Sequence, residues 1–283
     1  MLKPAIMDPC VKAALREDIG AKDITTSALI LKDTQAKAGI EFKERGVLCG
    51  IDVIERVFRS IDENLRFLPV AKDGEMIEKG REIAYIEGSG ASILTAERTA
   101  LNFLSHLSGI ATFTREFVEK IKGTSAKIFD TRKTIPNLRI LEKYAVHIGG
   151  AENHRFGLYD QVLIKDNHLK ILRKESIVGI VKQARRASLK KTIIGIEAKN
   201  MAELSEALNS KPDYILLDNL SVEQVKEAAR LRAKCGTRTP LEVSGGITLD
   251  NVLDYAQTGV ERISIGRLTH SAPSLDVSLD IVG

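Results

Sequence analysis

The stretch from Asp130 to His168, DTRKTIPNLRILEKYAVHIGGAENHRFGLYDQVLIKDNH, holds the residues of this chain best suited to chemistry. Three of the five histidines lie in it (His147, His154 and His168), with Arg132, Lys133, Arg155 and Lys165. A solvated helix face would space such cations at i, i+4 and balance them with Glu and Asp. Here they stand beside chain-breaking residues instead. Arg132 and Lys133 precede a Pro-Asn turn, His154 and Arg155 follow Gly149-Gly150, and Lys165 ends the apolar run Gln161–Ile164. Cations held on turns and strand ends can converge on one anionic ligand, because the scaffold fixes them before the ligand arrives. Taken singly, each is compatible with an ordinary surface charge; taken together they point to a pocket for an acidic substrate.

The elements that must carry these groups recur from Ser125 onward. Apolar runs suited to strands are Ala126–Phe129, Gln161–Ile164, Thr192–Ile196, Asp213–Leu217, Leu241–Val243 and Arg262–Ile265. Helical patterns lie between them, at Leu138–Ile148, Ile171–Ser188, Met201–Asn209, Val222–Lys234 and Leu249–Thr258. Alternating β and α with continuous apolar strands indicates a parallel sheet covered by helices. The number of units favours a TIM-like barrel, and the pattern is also compatible with a doubly wound sheet.

In a parallel barrel every strand's C-terminal end points to one rim, where active sites sit. The strands here are followed, in order, by Asp130-Thr-Arg-Lys, Lys165-Asp-Asn-His, Glu197, Asp218-Asn219, Ser244-Gly245-Gly246 and Gly266-Arg267. Distant residues therefore meet at the rim as cations, two carboxylates and two glycine turns. Ser-Gly-Gly between a strand and a helix leaves backbone N–H groups for a phosphate, and a second glycine turn matches the paired phosphate loops of late barrel strands. Glu197 and Asp218 either cap the following helices or hold ribose hydroxyls or Mg²⁺. On residues alone, this is an α/β-barrel enzyme for a phosphosugar and a strongly acidic co-substrate.

The first hundred residues read as a separate α+β unit. Pro9–Ile19 has helical spacing stopped by Gly20, and Ala38–Leu48 suits a strand pair broken near Arg45-Gly46. Ile51–Ile61 is amphipathic, and short strands at Leu65–Val70, Glu75–Ile77 and Glu82–Glu87 are joined by glycine turns, as in an antiparallel sheet. The turns of DGEMIEKGREIAYIEG resemble a biotinyl or lipoyl carrier in architecture only, since no lysine sits at the tip of a tight hairpin. Ser92–Lys122 carries one apolar stripe interrupted at Ser108-Gly109, which predicts two successive helices. Arg98 lies in the first and reads locally as a solvated side chain.

At 283 residues the chain suggests about two domains, here 1–110 and 111–269, with a tail from about 270 to 283 returning to the first. A net charge of +4 does not by itself call for nucleic acid, and a local cationic pocket accounts for it. Cys10, Cys49 and Cys235 are isolated, which argues for a reducing compartment and against structural zinc. The N-terminus lacks an apolar signal core, and no uncharged apolar run approaches the roughly 18 residues of a spanning helix. A soluble, cytoplasmic protein with no membrane or nucleic-acid partner is expected.

DTRKT-x-P, GG-x-x-NHR-x-GL-x-D, LIKDNH, LLDN, SGGI and G-x-LTHS, with EDIGAKDITT and TAERTALNFLSHLSGIAT, together resemble the quinolinate phosphoribosyltransferase family over nearly the whole chain. That is the decarboxylating nicotinate-nucleotide pyrophosphorylase of de novo NAD biosynthesis. The resemblance implies an incomplete TIM-like α/β barrel of about seven strands (type II phosphoribosyltransferase) behind an N-terminal α+β open-sandwich domain. It also implies a homodimer with shared active sites, or a hexamer built as a trimer of dimers. Quinolinate and phosphoribosyl pyrophosphate would react to nicotinate mononucleotide, pyrophosphate and CO₂. Thr131, Arg132, His154, Arg155 and Lys165 match the quinolinate pocket, and Arg98 matches an arginine supplied by the other subunit. Lys133, Glu197 and Asp218 match groups around phosphoribosyl pyrophosphate, the two carboxylates holding Mg²⁺ directly or through water or substrate. Ser244, Gly245, Gly246 and Gly266 match the 5′-phosphate cradle, and Ile265 and Arg267 beside its second turn are expected to bind phosphoribosyl pyrophosphate with it. Lys133, Lys165, Glu197 and Asp218 form the implied catalytic set.

Three positions depart from the common pattern: Asn137 and Ala151 replace glycines, and Arg267 replaces a small residue beside the second phosphate turn. Asn tolerates the left-handed conformation, so the first turn is expected to survive. Three other readings compete. A molybdenum-transport-associated homologue would share the fold, but KDNH and the full cationic set argue against it. A Schiff-base lysine at Lys165 would have to be desolvated, and a pure binder has no need of paired carboxylates beside a phosphate cradle.

Overall fold

Proline fits the first turn of a helix because its missing N–H has no partner there, and Pro4 opens α1 (Pro4–Ile19), ahead of the expected start at Pro9. The computed structural model describes residues 3–31 and 33–282, so Gly283, the end of the expected tail, lies outside the described residues. α2 (Ile24–Leu29) begins where the Asp23 carboxylate accepts the Thr26 N–H at 2.9 Å. Then follow β1 (Gln35–Phe42), β2 (Gly46–Val47), α3 (Ile51–Ile61), β3 (Arg66–Pro69), β4 (Met76–Ile77), β5 (Glu82–Ser89) and α4 (Gly90–Lys120). β1 and β2 do not pair with each other, contrary to the strand pair expected over 38–48. β1 lies between β5 and the last strand, and β2 pairs with β4. The Asp73-Gly74 turn, part of the carrier-like run, caps α3 instead: Asp73 accepts the N–H groups of Gly50 and Ile51 and the Tyr144 hydroxyl.

The second half supplies β6 (Lys127–Phe129), α5 (Arg139–Ile148), β7 (Val162–Ile164), α6 (Asp166–Ile171), α7 (Ile177–Ala187), β8 (Ile194–Ala198), α8 (Met201–Ser210) and β9 (Tyr214–Asp218). α9 (Val222–Lys234), β10 (Leu241–Ser244), α10 (Val252–Ala256), β11 (Arg262–Ser264), α11 (Arg267–His270) and β12 (Val277–Val282) complete it. The helix expected over 171–188 starts only at Ile177, where the Ser176 hydroxyl accepts the Gly179 N–H, and the short α6 ends at Ile171. The expected helix 249–258 shrinks to the short α10.

By contacts the chain divides into Met1–Arg115, Thr134–Gly150 and Leu268–Gly283 on one side and Glu116–Lys133 and Ala151–Arg267 on the other. The boundary expected after residue 110 falls inside α4, and α5 groups with the first unit. That unit holds the antiparallel sheet β12-β1-β5-β3, in which β12 pairs along β1 from Lys37–Val282 to Phe42–Val277.

The second unit is built on the parallel order β6-β11-β10-β9-β8-β7. Glu152 adds a single parallel bridge to Phe129 on β6. With that bridge, the spatial order follows the chain order around a ring, the first strand pairing the last, and the ring is left open between the Glu152 segment and β7. A doubly wound sheet reverses its order at a switch point; this one does not, so it is an incomplete barrel. Among the described residues no helix is long and apolar enough to cross a membrane.

α4 is one helix through Ser108-Gly109, where two were expected. Gly109 serves packing instead. A Cβ there would overlap the Pro273 carbonyl oxygen and stand 3.1 Å from Ser274 Cα, where Leu275 N–H bonds the Ser105 carbonyl at 3.1 Å. Helix propensity alone would make Gly109→Ala stabilising by about 1 kcal/mol. Overpacking against a backbone carbonyl costs about 1–3 kcal/mol and wins. Chemical denaturation should show Gly109→Ala less stable than the parent; an unchanged or higher midpoint would mean that the 273–275 segment yields freely.

Candidate active site

The strand ends of the second unit surround a cavity of about 240 Å³. Thr131, Arg132, Lys133, His154, Arg155, Lys165, Glu197, Asp218 and Ser244 line it, so most of the sequence-derived set meets in one place. Leu163, Leu216, Glu242 and Ser264 also line it and were not anticipated. Side chains alternate along a strand, so each lies on the inward row with a rim position: Leu163 below Lys165, Leu216 below Asp218, Glu242 below Ser244, and Ser264 below Gly266. Counting two residues back from these rim residues would have found all four. Gly245, Gly246, Ile265, Gly266 and Arg267 do not line the cavity, and Arg98 is exposed on α4 in the other unit. His147 lies on α5, and His168 Nδ1 accepts the Lys165 N–H at 2.9 Å, closing the start of α6. Neither joins the cationic cluster.

Below the cavity lies a buried charged network. Glu242 is fully buried, and its oxygens meet His154 Nε2 at 3.2 Å, Arg262 Nε at 2.6 Å and the Ser264 hydroxyl. Burial pushes the Glu242 carboxyl up, but His154, Arg262 and Ser264 more than offset it and hold it below the ordinary glutamate value. Arg262 is clamped between rings, its guanidinium carbon 3.8 Å from the Phe129 centroid and 4.7 Å from that of Tyr214. Tyr214 in turn presents its hydroxyl to His154 Nε2 at 3.3 Å, and burial drives that phenol's ionisation well up. Gly195 on β8 makes room for this ring, which any Cβ would overlap.

His154 is therefore engaged on both sides. Its Nδ1 accepts the Arg155 N–H at 2.8 Å, which leaves Nε2 to carry the proton toward Glu242, and its own N–H bonds Asp130 at 2.7 Å. The Arg155 guanidinium donates to the Gln161 carbonyl at 3.3 Å. Burial, then the neighbouring Arg132 charge, depresses the ionisation of Arg155. Two guanidinium groups that disfavour each other in a half-buried site are preorganised for an anion.

The carboxylates occupy the next arc. Glu197 is 5% exposed and Asp218 ends β9. The capping alternative for both fails, since Asn200 caps α8 and Ser221 caps α9. Burial and then Asp218 push the Glu197 carboxyl up, while Lys165 and Lys199, each 3.9 Å away, draw it down. Two carboxylates in such tension suit Mg²⁺ held with substrate phosphates, a mode that needs only one or two protein carboxylates. Lys165 is 51% exposed and ion-paired, unlike the desolvated amine of a Schiff-base enzyme. On the remaining arc Gly245 and Gly246 take φ of +99° and +65°, and the Asn219 N–H bonds the Ser244 carbonyl at 2.8 Å, so the turn after β10 is braced by the turn after β9. Asn137 sits at φ +66°, as expected for a turn that keeps its shape without glycine.

Fold and cavity together define an incomplete α/β-barrel enzyme for anionic, phosphate-bearing substrates. Residues 23–108 match the family pattern of the quinolinate phosphoribosyl transferase N-terminal domain and residues 110–280 that of its C-terminal domain. The chain is 43% identical over 281 residues to the probable nicotinate-nucleotide pyrophosphorylase (carboxylating) of Methanocaldococcus jannaschii, covering 96% of each. It is 40% identical to the nicotinate-nucleotide pyrophosphorylase (carboxylating) of Mycobacterium leprae, with 96% and 95% covered. The crystal structure of NadC from Streptococcus pyogenes superposes with a TM-score of 0.93 at 41% identity, over 100% of this chain and 99% of that one. The chain belongs to the quinolinate phosphoribosyltransferase family.

Because the Glu242 carboxyl ionises more readily folded than unfolded, its contribution to stability is complete above the ordinary glutamate value. It fades as pH falls through the lowered folded value. Glu242→Gln should cost about 3–5 kcal/mol at neutral pH by stranding Arg262. It should also flatten the acid limb of a stability–pH curve measured by denaturant unfolding. A variant as stable as the parent at neutral pH would show that the network carries no net stabilisation.

Proposed function

We propose that this protein joins the ring nitrogen of quinolinate to the C1 of phosphoribosyl pyrophosphate, releasing pyrophosphate, and then expels the 2-carboxylate as CO₂. The product is nicotinate mononucleotide, formed in de novo NAD biosynthesis in the cytoplasm. One observation carries the reading: four cations, the rim carboxylates Glu197 and Asp218, and Ser244 at the start of a strand-end Ser-Gly-Gly turn line a single cavity. Arg132 and Arg155, with Lys165 beside them, bind the two carboxylates of quinolinate, and Leu163 and Leu216 offer its ring an apolar floor. Glu197 and Asp218 face the positive charge that develops at the ribose carbon as the pyrophosphate bond lengthens. Lys133 and the turn at Ser244 hold phosphate groups. Bound Mg²⁺, on Glu197 and Asp218 directly or through water, would neutralise charge on the leaving pyrophosphate. Once the ring nitrogen is quaternary, its charge stabilises the electron pair left at C2 when CO₂ departs, and a proton then takes that position. For that step the protein mainly orients the ring.

An assay for pyrophosphate and CO₂ release from the two substrates tests this directly. Quinolinate should be consumed and nicotinate should not, because the cations outnumber what one carboxylate needs; equal turnover of nicotinate would remove the dicarboxylate assignment. Lys165→Ala should lower kcat/KM on the order of a hundredfold, about 2–4 kcal/mol, whereas the exposed Lys191→Ala should leave it unchanged. A loss under about threefold at Lys165 would place that lysine outside the site.

The resemblance further supports a homodimer, alone or as part of a trimer of dimers, in which Arg98 of one copy serves the other's quinolinate pocket. Arg98→Ala and Lys165→Ala homodimers should each be nearly inactive. Mixed in equal amounts after dissociation, they form one intact site per mixed dimer, so about a quarter of parental activity should return. Mixed dimers counted by native mass spectrometry without any recovery would show that Arg98 does not act in trans.

A further inference from the structure

We propose that Lys199 is a further diphosphate-binding residue of this site, held by Asp166 until the phosphate-bearing substrate arrives; the inference rests on the phosphoribosyl transfer proposed above. Alternate side chains share one side of a strand. Gly195 faces Tyr214 in the barrel interior and Glu197 lines the cavity, so Lys199, just past the end of β8, is the next group on the same row, at the mouth. Its Nζ lies 2.7 Å from Asp166 Oδ2 and 3.9 Å from Glu197 Oε1. Lys165 Nζ approaches the other Glu197 oxygen at 3.9 Å. Two ammonium groups thus flank one carboxylate of the cavity wall, one following β7 and one following β8.

Both lysines are able to move, since their side chains are 51% and 41% exposed and neither leaves a buried niche by turning. Asp166 tolerates the departure of Lys199 because Lys170 also pairs with it, at 2.9 Å. The arrangement is asymmetric: the acid keeps a cation, and Lys199 exchanges a singly charged partner for a diphosphate bearing more charge. Position along the ring adds a second argument. The glycine turn after β10 and the lysines after β7 and β8 lie on either side of β9, whose end carries Asp218. A ribose with a monophosphate at one end and a diphosphate at the other matches that layout, with Glu197 and Asp218 between.

The test measures inorganic pyrophosphate binding to the full-length protein by calorimetry in Mg²⁺ buffer, alongside steady-state kinetics. Lys199→Ala should weaken pyrophosphate about tenfold and raise KM for phosphoribosyl pyrophosphate, with KM for quinolinate unchanged; Lys199→Arg should stay within about threefold of the parent. Asp166→Asn should act in the opposite sense and tighten pyrophosphate about threefold, by releasing Lys199. Unchanged affinity in Lys199→Ala overturns the inference. So does weaker binding in Asp166→Asn, which would mean that the ion pair braces α6 instead. A parent protein that binds no pyrophosphate also overturns it. Turnover separates this inference from the functional reading. If the parent makes nicotinate mononucleotide and Lys199→Ala is silent, only Lys199 falls. If pyrophosphate binding depends on Lys199 but quinolinate is not consumed, only the acceptor assignment falls.

Discussion

A carboxylate cut off from water must find all its partners in the protein, and Glu242 imposes that demand on the barrel interior. Meeting it draws in Arg262 and Ser264 from β11, His154 from the segment after Glu152, and the rings of Phe129 and Tyr214 around Arg262. Glu242, Arg262, Ser264 and Tyr214 lie on the adjacent strands β9, β10 and β11, and Phe129 and His154 reach them because the sheet curls round to pair β6 with β11. The same network fixes the working surface above it. His154 holds the Arg155 backbone N–H, so the buried carboxylate determines, through one imidazole, where an arginine of the cavity begins.

Above that floor the balance of charge changes. Arg155 and Arg132 disfavour each other, and Glu197 and Asp218 do the same on the adjacent arc. Such tension is a cost in the empty site, and it becomes favourable when anions meet the arginines and a cationic centre meets the carboxylates. Binding and catalysis here are consequently electrostatic matters of placement, as expected for a transfer in which the leaving group is a diphosphate and the acceptor a dicarboxylate. Lysines at the mouth remain half solvated, which lets them exchange partners where the buried Arg155 does not.

What could be read from the residues follows from local rules. Apolar runs alternating with helical stretches gave the order of strands and helices after Ser125, and the residue after each run located Lys165, Asp218 and Ser244 at one rim. Local rules failed where a distant segment decided the outcome. Gly109 looked like a helix break because glycine lowers helix propensity, yet α4 passes through it, and the glycine answers to the carbonyl of Pro273. Residues 38–48 looked like a hairpin, but the partners of β1 are β5 and β12, the latter more than two hundred residues away.

The sequence by itself determined the class of chemistry: its cations sit on turns and strand ends, its carboxylates end strands, and its glycines follow strands, and each of these is a property of neighbouring residues. Its motifs also determined the family. The residues alone left barrel and doubly wound sheet both open, and the family resemblance implied an incomplete barrel. The tertiary structure bears out the open ring, through a β6–β11 pairing that joins residues no local pattern relates. Only the tertiary structure decided which inward side chains make the floor. Glu242, Tyr214 and Arg262 look like unremarkable strand residues in the chain, and their roles arise when burial leaves each charge and hydroxyl no partner but the others. The space that Gly195 leaves for Tyr214 is likewise a fact of two strands lying side by side, and a single strand does not contain it.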